Sequence, residues 1–252
     1  VLCPHGTSSS RLSGTIPGLL INQRTGLPSD GCQYAWELAE RGYITMVWDH
    51  FTLPPRGPEG GNYDSRAFEE RCPDWSPMGK MTWDTMRCVD FLQALPQVDA
   101  ERIGCVGLSL GGHTSLFGAA FDGRIKVTVP VCGFSTFRSD RNVRYIWVRE
   151  NDKYHYMPRL AGYLDRGEQP PFDMHEVAAM VAPRPMLIFS GYHDEWTHGN
   201  AIMGEFSARV HDIYDQVGYE EGYTHIHHGE HHSFGKIWRE TAYLWFDRWF
   251  KW

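Results

Sequence analysis

An α/β fold, a doubly wound and mainly parallel sheet with helices on both faces, is predicted by three observations. Short apolar runs alternate with helix-period segments along the chain. Most of those runs read as strands buried on both faces, as in a parallel sheet covered by helices. The 252 residues carry 42% apolar and 22% charged residues, enough for a large core under a wettable surface.

The candidate strands are Val1 to Cys3, Tyr43 to Trp48, Ile103 to Gly107, Ile125 to Cys132, Met186 to Ser190 and Tyr223 to His227. Between them the helical period predicts helices near 31–41, 80–95, 109–120, 174–181 and 199–216. A last helix over 236–251 places Ile237, Trp238, Ala242, Trp245, Phe246 and Trp249 on one stripe and is expected to close one side of the sheet. This length is ordinary for one α/β domain, so a single domain over 1–252 is expected. Two stretches interrupt the rhythm, 52–79 and 134–171, and both follow strands. Loops at the carboxyl ends of parallel strands are where ligands sit, so these two are candidate pocket walls or lids. The opening Val1-Leu2-Cys3-Pro4 is already strand-like and has no initiator Met, which predicts an upstream segment and further N-terminal strands.

Composition excludes several functions. Twenty-four Lys and Arg against thirty-one Asp and Glu give a net charge of −7. No dense basic stretch offers a footprint for a phosphate backbone, so nucleic acid is not an expected partner. The longest strong apolar run, Tyr43 to Trp48, falls far short of the ~18 residues that span a bilayer, and a soluble chain without a membrane partner is expected. Location, cytoplasmic or secreted, and oligomeric state are not encoded in these features. The six Cys are scattered without a C-x-x-C and read as buried thiols rather than a disulfide framework or zinc site.

The sharpest motif is Gly107-Leu108-Ser109-Leu110-Gly111, a G-x-S-x-G between a strand and a helix. In that nucleophile elbow the glycines let strand and helix approach around a strained turn that exposes the serine hydroxyl. A hydroxyl needs a base, and the base needs an orienting carboxylate. On this kind of fold the acid follows a later strand, and Asp194 stands directly after Met186 to Gly191, with Glu195 in reserve. The base is expected between the last strand and the last helix, where five of the 13 His cluster: His225, His227, His228, His231 and His232. His231 and His232 lie beyond Gly229, in the loop from which a base reaches across. For the oxyanion the N–H of Leu110 and that of Thr7, after the first strand and Gly6, are the candidates. A rival chemistry is the H-x-x-E-H pattern of a zinc peptidase class at His227-His228-Gly229-Glu230-His231, which requires a helix.

The chain resembles the α/β-hydrolase superfamily, in particular the acetyl xylan esterase and dienelactone hydrolase-like group related to the prolyl oligopeptidase class. The resemblance rests on residues Tyr34 to Tyr43, Asp84 to Asp99 leading into the Ser109 elbow, and Ala119 to Lys126. Tyr156 to Arg159, Pro171 to Asp173 and Ala182 to Pro185 extend it. It implies Ser109 as nucleophile and Asp194 as acid. It also implies His232 as base, because the family's His stands in a His-x-Phe arrangement matched by His232-Ser233-Phe234; His231 is the reserve. The expected function is a cofactor- and metal-independent serine carboxylesterase acting on small-molecule or carbohydrate acyl esters, acetyl esters among them. The alternatives are a peptidase or lactone hydrolase on the same triad, a zinc hydrolase using His227 to His231, and a non-catalytic binding protein.

Overall fold

The computed structural model describes residues 1–7, 33–52, 63–133, 135–138, 142–196 and 200–251. Cys32 and residues 53–62, which belong to the sequence expectations above, lie outside them. Four strands, β1 (Ile103–Leu108), β2 (Ile125–Val131), β3 (Met186–Gly191) and β4 (Tyr223–His228), pair in the order β1-β2-β3-β4, all parallel. The crossovers carry α4 (Leu110–Phe121), α6 (Met174–Ala179) and α7 (Asn200–Gln216). Before them come α1 (Tyr34–Glu40), α2 (Arg66–Arg71) and α3 (Pro77–Gln93), and α8 (Lys236–Phe250) ends the fold. The sequence expectation did not include α2, α5 (Leu160–Asp165), a π-helical turn at Arg144–Val148 or a 3₁₀ turn at Glu220–Gly222. All are short pieces inside loops, too brief to show a helical period. Capping explains where two predicted helices start. Ser76 Oγ accepts from Gly79 N at 3.0 Å with Pro77 at the first helical position, so α3 begins before residue 80. Asp173 and Glu176 form a capping box on α6.

Two expected strands are reduced to single bridges. Leu2 pairs in parallel with Met46 on one side and Cys105 on the other, and neither Val1 to Cys3 nor Tyr43 to Trp48 extends into a ladder. Cys3 N donates to Met46 O at 2.8 Å and Val106 N to Leu2 O at 2.9 Å; Pro4, which has no N–H, follows directly. These bridges still continue the sheet beyond β1. From Leu2 the chain moves outward to Met46 through α1 and returns to β1 through α3. The winding direction therefore reverses between Leu2 and β1, which is where ligands bind in open α/β sheets.

Alternate strand residues feed two cores. Cys105, Met186 and Ile188 face α3, α4, α6 and α7, whereas Val106, Leu187 and Phe189 face α1 and α8. The buried stripe of α8 departs from the expected one. Ala242, Trp245 and Phe246 are buried as predicted, but Ile237 is 64% exposed, while Arg239, Tyr243 and Phe250 are buried. The cause is a partner on α1. Glu37 accepts from Arg239 Nε at 2.8 Å and Nη2 at 2.9 Å and from Tyr243 Oη at 2.6 Å, which turns a polar face inward.

Candidate active site

Ser109 sits at the turn between β1 and α4 with φ 61° and ψ −121°, a conformation unfavourable for a residue with a Cβ. Backbone crowding enforces it. A Cβ on Gly107 would lie 2.5 Å from the backbone of Gly111, and one on Gly111 would lie 2.2 Å from Pro4 O, so only glycine fits at either position. A Cβ on Gly6 would lie 3.2 Å from Leu108 O and 3.5 Å from Ser109 Cβ, so Gly6 too packs against the elbow. Leu110 is the first residue of α4, and its N–H has no acceptor within the helix.

The acid and base loops are stitched together by backbone bonds. Tyr192 N donates to His228 O at 2.6 Å and His193 N to Glu230 O at 3.1 Å. This brings His232 Nδ1 to 2.8 Å from Asp194 Oδ2, while Asp194 Oδ1 accepts from Trp196 N at 2.9 Å. Burial opposes ionisation of Asp194, yet the hydrogen bond and charge of His232 and the Trp196 N–H outweigh it and hold the carboxyl below its ordinary range. The reserves are placed elsewhere. Glu195 reaches the backbone N–H of His232 at 3.4 Å, not its ring. The His231 side chain is 79% exposed and its Nδ1 lies 3.0 Å from His193 O.

The H-x-x-E-H pattern does not fall on a helix. His227 and His228 end β4 on opposite faces, His227 against Tyr192 and His228 stacked on Trp238, and Glu230 and His231 lie in the following bend. Among the described residues, three potential metal-donor side chains converge only at Cys132, Asp194 and His232, within 4.8 Å of one another. There the facing atoms of Asp194 and His232 are already joined.

Ser109, His232 and Thr7 line one cleft of about 270 Å³ at the carboxyl ends of the strands. Thr7 Oγ1 lies 2.9 Å from Tyr156 Oη. Part of the 134–171 stretch walls this cleft through Tyr145, Arg149 and Tyr156, whereas Trp75, Ser76 and Met78 of the first stretch line a separate apolar hollow. Sequence reasoning missed several lining residues. His113 stands four residues after Ser109, one turn along α4, a spacing that could have found it. It is buried against Trp147, 4.4 Å between ring centroids, and burial, with His232 nearby, pushes its imidazole down to about 3. Trp196 follows Asp194 by two residues and stacks on Tyr145 at 5.7 Å with the rings 2° from parallel. Arg149 and Tyr156 lie in the 134–171 stretch that the sequence marked as a candidate wall, but a loop with no periodicity does not show which of its side chains face the cleft.

A family model for fungal glucuronyl esterases matches residues 73–218, more than half of the 252. The chain belongs to the glucuronyl esterase family. YtaP of Bacillus subtilis is 28% identical over 217 residues, which cover 84% of this chain and 67% of YtaP. The 4-O-methyl-glucuronoyl methylesterase 1 of Wolfiporia cocos is 27% identical over 188 residues, covering 69% of this chain and 46% of that enzyme. The chain thus spans about two thirds of the first relative and less than half of the second. Among solved structures, a glucuronoyl esterase from Caldicellulosiruptor kristjansonii superposes with a TM-score of 0.75 at 20% identity, over 99% of this chain and 68% of that one. One from Solibacter usitatus gives 0.73 at 16% identity, over 99% and 74%. The fold is that of these α/β-hydrolase-type esterases, as the superfamily resemblance implied, and the glucuronyl esterase family is the narrower placement.

Proposed function

We propose that this glucuronyl esterase family member hydrolyses carbohydrate esters through Ser109, His232 and Asp194. The observation that carries the reading is the 2.8 Å bond from His232 Nδ1 to Asp194, with His232 lining the same cleft as Ser109. Ser109 Oγ attacks the ester carbonyl and His232 takes its proton, then returns it to the leaving alcohol. Asp194 holds the imidazole in one tautomer and stabilises the imidazolium. The N–H groups of Leu110 and Thr7 receive the oxyanion, and water releases the acid in a second, mirrored step. The stacked Tyr145 and Trp196, 62% and 42% exposed, offer a face for a sugar ring at the mouth of the cleft. The chain acts as one α/β-hydrolase domain, with the 134–171 stretch as a wall over the site.

Relatives described as 4-O-methyl-glucuronoyl methylesterases favour esters of a uronic acid over acetyl esters of a sugar hydroxyl. Two measurements test the reading. A fluorophosphonate probe followed by peptide mapping should label Ser109, and an adduct elsewhere refutes the nucleophile. Methyl glucuronate should be hydrolysed faster than an acetylated xylose, and the reverse order assigns the enzyme to acetyl esters.

A further inference from the structure

Four non-glycine residues among those described have φ between 46° and 61°: Tyr63, Ser109, Cys132 and Arg149. Three of them, all but Tyr63, line the cleft. Backbone strain of this kind persists where the surroundings over-determine it, and it clusters at sites that bind or react. Ser109 is accounted for by the elbow, and Cys132 follows β2 beside Asp194. Arg149 has no part in the proposed chemistry, yet it is built in with care. Its N–H closes the π-helical turn on Arg144 O at 2.7 Å. Its guanidinium lies over the Tyr156 ring, 4.9 Å from the centroid, and over the Tyr154 ring at 5.7 Å. One terminal nitrogen is paired with Asp152 on the outer, partly exposed side, whereas Nε is buried without an acceptor in the protein.

The charge balance of the cleft makes this arginine consequential. Among the described residues that line it, Arg149 is the single permanent charge; its ion pair with Asp152 lies on the outer side, and Asp194 stands behind His232. The chain as a whole carries −7, so a cation in the cleft wall runs against the net charge of the molecule. A guanidinium presents a planar fork of donors that matches the two oxygens of a carboxylate, and only one terminal nitrogen of Arg149 is taken up by Asp152.

We infer that Arg149 anchors a free carboxylate carried by the ester substrate, so that the preferred substrates are esters bearing a second, unesterified acid group. This rests on the esterase reading above and narrows its substrate class. The test compares two esters of matched shape, 4-nitrophenyl butyrate and mono-4-nitrophenyl succinate, with wild type, Arg149→Gln and Arg149→Lys. Wild type should favour the succinyl ester. Arg149→Gln should lower kcat/KM for the succinyl ester at least tenfold more than for the butyryl ester, chiefly through KM, and Arg149→Lys should recover part of the preference. An equal loss on both esters would overturn the inference, because it would mark a structural or oxyanion role. A binding arm separates this from failure of the esterase reading. By calorimetry, monomethyl succinate, which carries an ester and a separate free acid, should bind Ser109→Ala more tightly than it binds the Ser109→Ala, Arg149→Gln double variant. If wild type cleaves neither ester, the esterase reading falls and the calorimetry alone decides; equal affinity of the two variants for monomethyl succinate then rejects the anchor.

Discussion

At the scale of single residues, the proposed chemistry concentrates in three side chains whose removal should separate cleanly. Ser109→Ala should keep the fold and lose up to ~10⁶ in turnover of an activated ester, by analogy with a triad serine. Asp194→Asn should lower kcat by ~10⁴, because the imidazole loses the acceptor that selects its tautomer. Glu195→Gln should do far less, since Glu195 reaches the backbone N–H of His232 and the His231 ring, not the His232 ring. The two adjacent histidines give the sharpest contrast. His232→Ala should abolish activity while His231→Ala leaves it within a few-fold, because His231 projects into solvent against a carbonyl. An inactive His231→Ala enzyme would move the base by one residue.

At the scale of elements, stability depends on how α1 and α8 lock together and on how closely the elbow packs. Arg239 is buried, bonded to both oxygens of Glu37 and to Phe234 O at 2.8 Å. Arg239→Met leaves Glu37 with the Tyr243 hydroxyl but without its cation and should cost about 2–4 kcal/mol in urea unfolding, less than a fully buried pair because the Glu37 side chain is 24% exposed. Gly111→Ala should be worse for function than for α4 itself. Its new methyl meets Pro4 O, so the loop bearing Thr7 must move away from Ser109, and activity should fall even where circular dichroism retains its helical signal.

For the molecule as a whole, the described cysteines and the buried acid report on global unfolding. Cys3, Cys88, Cys105 and Cys132 are buried, and burial pushes the thiols of Cys3 and Cys105 up to about 12, so neither is a thiolate near neutral pH. An aromatic disulfide reagent should modify no more than three thiols rapidly in the native state, Cys132 of the cleft wall among them, while Cys3, Cys88 and Cys105 should react at the rate of unfolding. Rapid modification of more than three would show that the core opens locally. The Asp194 carboxyl, held below its ordinary value, adds stability that is fully present above the unfolded pKa of about 3.9 and is lost as pH falls through the lower folded value. In urea melts the advantage of wild type over Asp194→Asn should therefore shrink as pH drops below about 4. A difference that grows toward acid would reverse the sign assigned to that carboxyl.

By itself, the sequence determined the α/β class, the four strands of the sheet, the elbow at Ser109 and the loops that carry Asp194 and His232. Each of these is written locally: apolar runs set strands, a 3.6-residue period sets helices, and glycines two residues on either side of a serine set a turn. It also narrowed five histidines to a pair, and then to one through the His-x-Phe resemblance. Only the tertiary structure decided which ring nitrogen meets Asp194, because that depends on bonds between the loops after β3 and β4. It alone turned α8 inward on Arg239, since the partner Glu37 lies 202 residues away in the chain. For the same reason the sequence marked 134–171 as a candidate wall without showing that Tyr145, Arg149 and Tyr156 are the side chains that face the cleft. An irregular loop has no period, and the position of each of its side chains is set by contacts with distant residues.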